Sequence, residues 1–367
     1  MNEANINALI AEVRERADEI DEGGTLPADL ATRLKSAGLF SLLLPASLGG
    51  PQIHFPDFVQ LVQSFAEADA STAWCINQGS VLATLAARMP VGVARQIWHA
   101  PEVAIANGPP MDCVLRTETD PPQLTGQWIF SSGINHADYL AGVARRDDGV
   151  SCWCFFPTEQ AEINSHWPVN GLRGTASYSF AVKQLPVQQG LVLPMSEPPT
   201  GAPLYHIPMN LMFACGFAAV SLGVARAAIT FTIERVKSKI KRFQNHPMAE
   251  DQVIQAEIGK AEADYLAAHA LLHGAVADIW REIETPLDLD ERMKLRLAAT
   301  HALRMGKTCT DRMYDLCSTD SIFKGNDIQR RFQDAHVISQ HLQGRPENYQ
   351  LAGRYLLDLP IDRTMIS

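Results

Sequence analysis

The chain has 367 residues, 46% of them hydrophobic and 20% charged, with a formal net charge of −10 at pH 7. That length suits two or three domains with a core that needs no staples. An acidic balance with mixed signs along the chain argues against nucleic acid or an anionic membrane as the main partner.

The opening stretch, MNEANINALIAEVRERADEIDEGG, is charged and amphipathic and lacks the apolar core of a signal peptide. The seven cysteines are odd in number and scattered. Reduced thiols and a cytoplasmic location are therefore expected. No run approaches about eighteen uninterrupted apolar residues, so no membrane span is expected. The longest apolar stretch, 211–230, is lightened by Gly216, Ser221 and Gly223 and interrupted by Arg226.

Residues 1–100 carry helical patterns broken by loops. LPADLATRLKSAGLFSLLLP starts a helix at Leu26-Pro27, with stops at Gly38 and Pro45. Ser71 and Thr72 are candidate caps for AWCINQGSVLATLAARM. From 101 to 200 the texture changes to short aromatic and β-branched runs such as QLTGQWIFSSG, YLAGVARR, VSCWCFF and SYSFAVKQL. These are strands at sandwich or barrel spacing, and RRDDG reads as a hairpin turn. Cys152 and Cys154 would share one face of a strand. Too few ligands adjoin them for a metal site, and none is expected.

From 201 to 367 the chain is helical. Ile254, Ile258, Ala261, Tyr265, Ala268, Leu272, Ala275 and Ile279 recur in steps of four and three, the seam of a long helix. A second seam, Leu295, Ala299, Ala302, Gly306, Cys309, Met313 and Leu316, contains small residues that imply close helix approach. With the apolar segment 208–232 and a helix opening near residue 326, this predicts a four-helix bundle. The fold class is mainly α with a central β domain: 1–100 helical, 101–200 a β-sandwich or barrel, and 201–367 the bundle.

The last of those helices lies in SIFKGNDIQRRFQDAHVISQH. Asn326 with Gln329 fits a capping box. Ile328, Phe332, Ala335, Ile338 and Leu342 form one apolar stripe. At roughly 100° per residue His336 and His341 fall on opposite flanks, about 140° apart, and do not share one ligand.

The order of helical domain, β domain and bundle resembles the acyl-CoA dehydrogenase superfamily. So do the segments LPADLATRLKSAGLFSLLLPASLGG, ADASTAWCI, GQWIFSSGINHADYLAGVA, WPVNGLRGTASYSF, QDAHVISQH and YQLAGRYLLDLP. Within it, FSSGINHAD and the final histidine helix are similar to the flavin-dependent monooxygenase branch, the oxygenase components of two-component aromatic hydroxylases. That resemblance implies a reduced flavin, FAD or FMN, held between β domain and bundle and supplied by a separate reductase. It further implies O2 as co-substrate, hydroxylation of an aromatic or heteroaromatic small molecule through a flavin hydroperoxide, and a homotetramer.

The resemblance also points to site residues. His341 would hydrogen-bond the flavin adduct or the substrate, since imidazole can donate from one nitrogen and accept at the other; His336 would be structural. Ser131 or Ser132 would donate to the flavin, and only one of two adjacent strand residues can face the ring; Ser131 is slightly preferred. Trp167 would lie near the isoalloxazine, Ser177 near the phosphate or ring edge, Asn107 at the flavin edge and Arg242 at the phosphates. Trp74 to Leu82 would help line the substrate pocket.

Many acyl-CoA dehydrogenases place a glutamate base in the loop where this chain has Phe323, Lys324, Gly325 and Asn326. An ammonium cannot serve as that base. The alternative, an acyl-CoA dehydrogenase or nitroalkane-type oxidase, would need another carboxylate, and Glu250, Asp251 and Glu257 lie off the core face of their helix. A third reading is a binding or assembly protein that kept the fold. GLRGT lacks the Walker spacing and no GxGxxG is present, which fits a chain without its own nicotinamide domain.

Overall fold

A computed structural model describes residues 3–367. The chain opens with helices α1 (Glu3–Glu15), α2 (Ala17–Gly23), α3 (Ala28–Ser36), α4 (Phe55–Ala68), α5 (Ala70–Leu82) and α6 (Val91–Ile97). Helix α3 follows Pro27, and the chain turns away at Gly38, whose φ of +71° a side chain would resist. Helix α5 is capped by Asp69, not by Ser71 or Thr72. The Asp69 carboxylate accepts from the Thr72 amide at 2.7 Å and from its hydroxyl at 2.8 Å. Asp69 occupies the extended N-cap position ahead of the first helical residue, where its side-chain oxygen can reach the Thr72 amide; Ser71 and Thr72 already lie inside the helix.

An eight-stranded sheet follows: β1 (Ile105–Ala106), β2 (Val114–Arg116), β3 (Gln123–Ser131), β4 (Tyr139–Arg146), β5 (Ser151–Pro157), β6 (Glu162–Asn164), β7 (Tyr178–Pro186) and β8 (Val192–Pro194). The order is β6-β7-β3-β2-β4-β5-β8, with β1 paired to β4. Among the described residues β6 and β8 do not pair with each other, so the strands make one sheet with two free edges and not a closed barrel. The β4–β5 connection turns at Gly149, as RRDDG predicts. Cys152 and Cys154 are both buried and unpaired. The β3–β7 register slips between Trp128 and Ser131, where Phe130 takes φ +56°. That bulge re-aims the end of β3.

The bundle consists of α7 (Met209–Ser238), α8 (Gln252–Glu282), α9 (Leu289–Cys317) and α10 (Asp327–Gln340), with α11 (Glu347–Leu356) beyond it. By length and composition α7 resembles a membrane span, but 83% of its most apolar window is buried within the fold. It is the core helix of the bundle. A Cβ at Gly306 of α9 would come within 2.4 Å of the Ser221 hydroxyl on α7, so the small residues of the second seam do set a close approach. Asn326 caps α10 by accepting from the Ile328 amide at 3.2 Å. The reciprocal arm from Gln329 expected of a capping box is not made, and the Asn326 amide instead donates to Phe323 C=O.

Candidate active site

Four aromatic rings meet where α5, α7 and the end of α10 converge. Trp74 of α5 stacks on Phe217 of α7 with centroids 3.9 Å apart, and Phe213, one turn earlier, stacks on Phe217 at 5.9 Å. His341, the residue after α10, sets its ring edge against both, at 5.2 Å from Trp74 and 4.6 Å from Phe217. Its Nδ1 accepts from the Gln343 amide at 3.4 Å. In the neutral tautomer this implies, Nε2 carries the proton and has no hydrogen-bond partner among the described residues. Burial, with added repulsion from Arg345 and Arg296, pushes the His341 pKa down to about 4, so the ring is neutral at physiological pH.

Arg296 supports this turn. It is fully buried, and it donates to the Gln343 side chain at 2.6 Å and to the carbonyls of Asn210 and Met365. Among the described residues no carboxylate pairs with it, and burial lowers its pKa to about 10.

A chain of hydroxyls leads from the same rings into the β domain. Trp74 Nε1 donates to Ser132 Oγ at 3.1 Å, Ser132 Oγ lies 2.7 Å from Ser177 Oγ, and Ser177 Oγ lies 2.6 Å from Thr175 Oγ1. Thr175 Oγ1 donates to Leu172 C=O at 2.7 Å. Elementary counting sets every direction in this chain. A carbonyl only accepts, so the one Thr175 proton goes to Leu172, Ser177 donates to Thr175, and Ser132 donates to Ser177. Ser132 is left with a lone pair and no proton to offer. In this arrangement Ser132 is an acceptor, whereas the resemblance implies that Ser132 or Ser131 donates to a flavin. Ser131 is fully buried, and its hydroxyl has no partner among the described residues.

The remaining predicted residues are placed as follows. Trp167 is half-buried, meets exposed Phe130 edge-on at 5.8 Å, and reaches Leu172 C=O at 3.5 Å. Asn107 accepts from Gln78 of α5 at 2.6 Å. Arg242 sits on an exposed loop beside Phe243, past the C-terminal end of α7. About 30 Å of that helix, from Phe217 to Ser238 at roughly 1.5 Å per residue, separates it from the aromatic cluster within one protomer. His336 pairs with Asp311 at 2.8 Å and sets its ring at a tilt against Phe332, away from His341. Lys324 is exposed.

Carboxylates are scarce here. Among the described residues only Asp69 and Asp334 are buried acids; Asp69 is spent on the α5 cap and Asp334 accepts from the Leu172 amide at 2.6 Å. Asp251 caps α8, and Glu257 pairs with Lys260 and Arg312. A cavity of about 350 Å³ lies at the opposite end of the β domain, lined by Thr117, Asp120, Arg146 and Gln189. It contains none of the converging residues and is not the site.

Sequence reasoning missed Phe217, Thr175, Asp334 and Arg296. Asp334 alone left a trace, a charged residue beside the apolar stripe of α10. The others became visible only when α7, α9 and the 170–177 loop were brought together.

Comparison with known proteins matches residues 4–89 to the acyl-CoA dehydrogenase N-terminal domain and residues 215–346 to the acyl-CoA dehydrogenase C-terminal domain. Similar proteins include an indole-3-acetate monooxygenase of Acinetobacter baumannii, 27% identical, covering 92% of this chain and 89% of that protein. Another is the flavin-dependent monooxygenase oxygenase subunit HsaA of Rhodococcus jostii, 27% identical over 98% of this chain and 99% of that one. The crystal structure of a 3-HSA hydroxylase from Rhodococcus superposes with a TM-score of 0.90 at 25% identity, covering 99% of this chain and 98% of that one. The chain belongs to the acyl-CoA dehydrogenase superfamily, and these relatives place it beside that superfamily's flavin-dependent monooxygenases.

Proposed function

We propose that this protein is the oxygenase component of a two-component flavin-dependent monooxygenase that hydroxylates a planar aromatic or heteroaromatic small molecule. Reduced flavin would come from a separate reductase, and the working assembly would be a homotetramer in the cytoplasm. The observation that carries the reading is the convergence of a neutral His341, the Trp74–Phe217 stack and the Ser132–Ser177–Thr175 chain in one place with no free carboxylate.

The residues present fit a flavin. At the end of β3 a fully buried Ser131 hydroxyl lacks a partner, next to Phe130, which exposes 56% of its surface. An unfilled polar atom beside a wet aromatic face suits a flat ring system with polar edges. Ser131, Ser132, Ser177 and Trp167 would hold the ring, with Asn107 at its edge. Arg242 would serve the phosphate end only of a flavin reached from another protomer. When bound, reduced flavin activates dioxygen and supplies the oxygen atom that is transferred.

The chain's own residues do the rest. Trp74, Phe213 and Phe217 present aromatic faces that exclude water and extend a stack onto a planar substrate. His341 Nε2–H donates to a polar atom of substrate or cofactor, while Gln343 and Arg296 hold the ring from behind. Ser132, its proton committed to Ser177, accepts. The competing dehydrogenase reading needs a carboxylate aimed at the substrate; Lys324 is exposed, Asp251 is engaged as the α8 cap, and Glu257 pairs with Lys260 and Arg312.

The test is to bind reduced FMN or FAD anaerobically, admit oxygen, and record the near-ultraviolet spectrum. The expected result is a transient absorption band distinct from oxidised and reduced flavin. Bleaching of oxidised flavin by an acyl-CoA without any reductase would establish the dehydrogenase instead.

A further inference from the structure

We infer that Asp334 is a positioning residue: it clamps the 170–177 loop against α10 and so holds the hydroxyl chain beside His341. This rests on the function proposed above for the site, while the clamp itself is a matter of geometry.

The loop is wedged among three parts of the molecule. At Gly171 a Cβ would meet Gln333 C=O of α10 at 2.3 Å, so the loop backbone lies directly on that helix. At Gly174 a Cβ would meet Ile20 of α2 at 2.2 Å and Ser71 of α5 at 3.0 Å. Between and after them, Leu172 and Ala176 take φ of +51° and +44°, a region non-glycine residues occupy only when their surroundings compel it. The one side-chain bond that compels Leu172 from α10 is its amide donating to Asp334 at 2.6 Å.

Leu172 is also where the hydroxyl chain is anchored. Its amide goes to Asp334, and its carbonyl receives Thr175 Oγ1, followed by Ser177, Ser132 and Trp74. Asp334 and His341 belong to one helix and its first following residue, roughly 10 Å apart along its axis. A single element therefore places the histidine and, through Leu172, the hydroxyls opposite it. Without Asp334, the side-chain hydrogen bond from α10 that holds Leu172 in the left-handed region is lost, and only the backbone contact at Gly171 remains. The Ser177–Ser132 pair would then lose its register against Trp74.

Charge around Asp334 makes the clamp sensitive to pH. Asp334 is 4% exposed, with Asp69 at the cap of α5, Asp21 of α2 and Arg330 of α10 as its charged neighbours. Burial, aided by Asp69, raises its pKa from the ordinary 3.8 to about 7, against the opposing pull of the Leu172 amide. An opened loop would return Asp334 to water and to a lower pKa. The closed loop thus holds a proton that the open loop releases. The proton's contribution to closure is full below the ordinary value of 3.8, declines as pH rises, and is lost once pH has passed about 7.

The experiment compares the full-length wild type, Asp334→Asn and Asp334→Ala by hydrogen-exchange mass spectrometry of residues 171–177 at pH 6 and pH 8. Rates are corrected for intrinsic exchange, and reduced FMN and FAD are titrated anaerobically in parallel. Asp334→Ala should exchange at least tenfold faster over 171–177 and bind reduced flavin at least tenfold more weakly. Asp334→Asn keeps an acceptor oxygen; it should stay within about threefold of wild type at pH 6 and lack the wild type's extra opening at pH 8. Unchanged exchange in Asp334→Ala, or an Asp334→Asn protein that opens with pH as the wild type does, overturns the proposal. If Asp334→Ala does not fold, the pH comparison of Asp334→Asn with wild type still decides. If wild type binds neither flavin, the functional reading falls while the exchange result judges the clamp on its own.

Discussion

His341 is poised by what its two nitrogens do. Nδ1 is taken by the Gln343 amide and Nε2–H is free, in surroundings that hold the pKa at about 4. Replacing it by Phe keeps an aromatic edge against Trp74 but removes the donor. Turnover is expected to drop by about 10²-fold or more, the usual scale for a lost polar catalytic contact, with reduced-flavin affinity within a few-fold; single-turnover kinetics separates the two. The sign of its pH effect follows from a depressed pKa. The unfolded chain takes up a proton near 6.5 and the folded ring only near 4, so stability should fall as pH drops through that window. The rate profile should show no His341 ionisation between pH 6 and 8, and ring NMR shifts check this directly. Ser177→Ala is a second probe. It breaks the chain, returns the Ser132 proton to the site and leaves Thr175 without its donor. The expected cost is about 1 kcal/mol in urea denaturation. That His336 and His341 face different surroundings was legible from helical periodicity; the proton direction at Ser132 was not, because it depends on Thr175 and Leu172, which reach it through a folded loop.

Among the elements, α7 and α9 show how far periodicity reaches. The seam through Ala302 and Gly306 announces a close approach, and the 2.4 Å that would separate a Gly306 Cβ from Ser221 Oγ measures it. Gly306→Val should cost about 1–3 kcal/mol by overpacking, read as a lower thermal midpoint, with little effect from the same change at exposed Gly259, where a Cβ would meet nothing within 4 Å. Helix starts were less legible. Asn326 caps α10 as its sequence suggests, without the Gln329 arm, and Asp69 displaces Ser71 and Thr72 as the α5 cap. In both cases several nearby side chains can accept from the first amides, and backbone geometry chooses among them.

For the whole molecule, the outer faces of the bundle expose large apolar side chains. Val253, Leu266 and Leu271 on α8 are 68%, 54% and 42% exposed, and Leu356 and Leu357 at the end of α11 are 74% and 71% exposed. Such surface calls for a cover. With a chain of 40.3 kDa, sedimentation is expected to give a tetramer of roughly four times that mass, and a species at the chain mass would refute the assembly. The amino-acid order by itself determined the helical, strand and helical zones, the four bundle helices and the separation of His336 from His341. Each of these follows from periodicity or from a local motif that short stretches of chain carry complete. The tertiary structure decided which hydroxyl can donate, which acid caps a helix and which acid grips a loop, and what stands behind His341. Those outcomes belong to contacts between residues far apart in sequence, such as Leu172 with Asp334 and Trp74 with Ser132. A hydrogen bond's direction is set by the last partner in its chain, and only folding brings that partner into place.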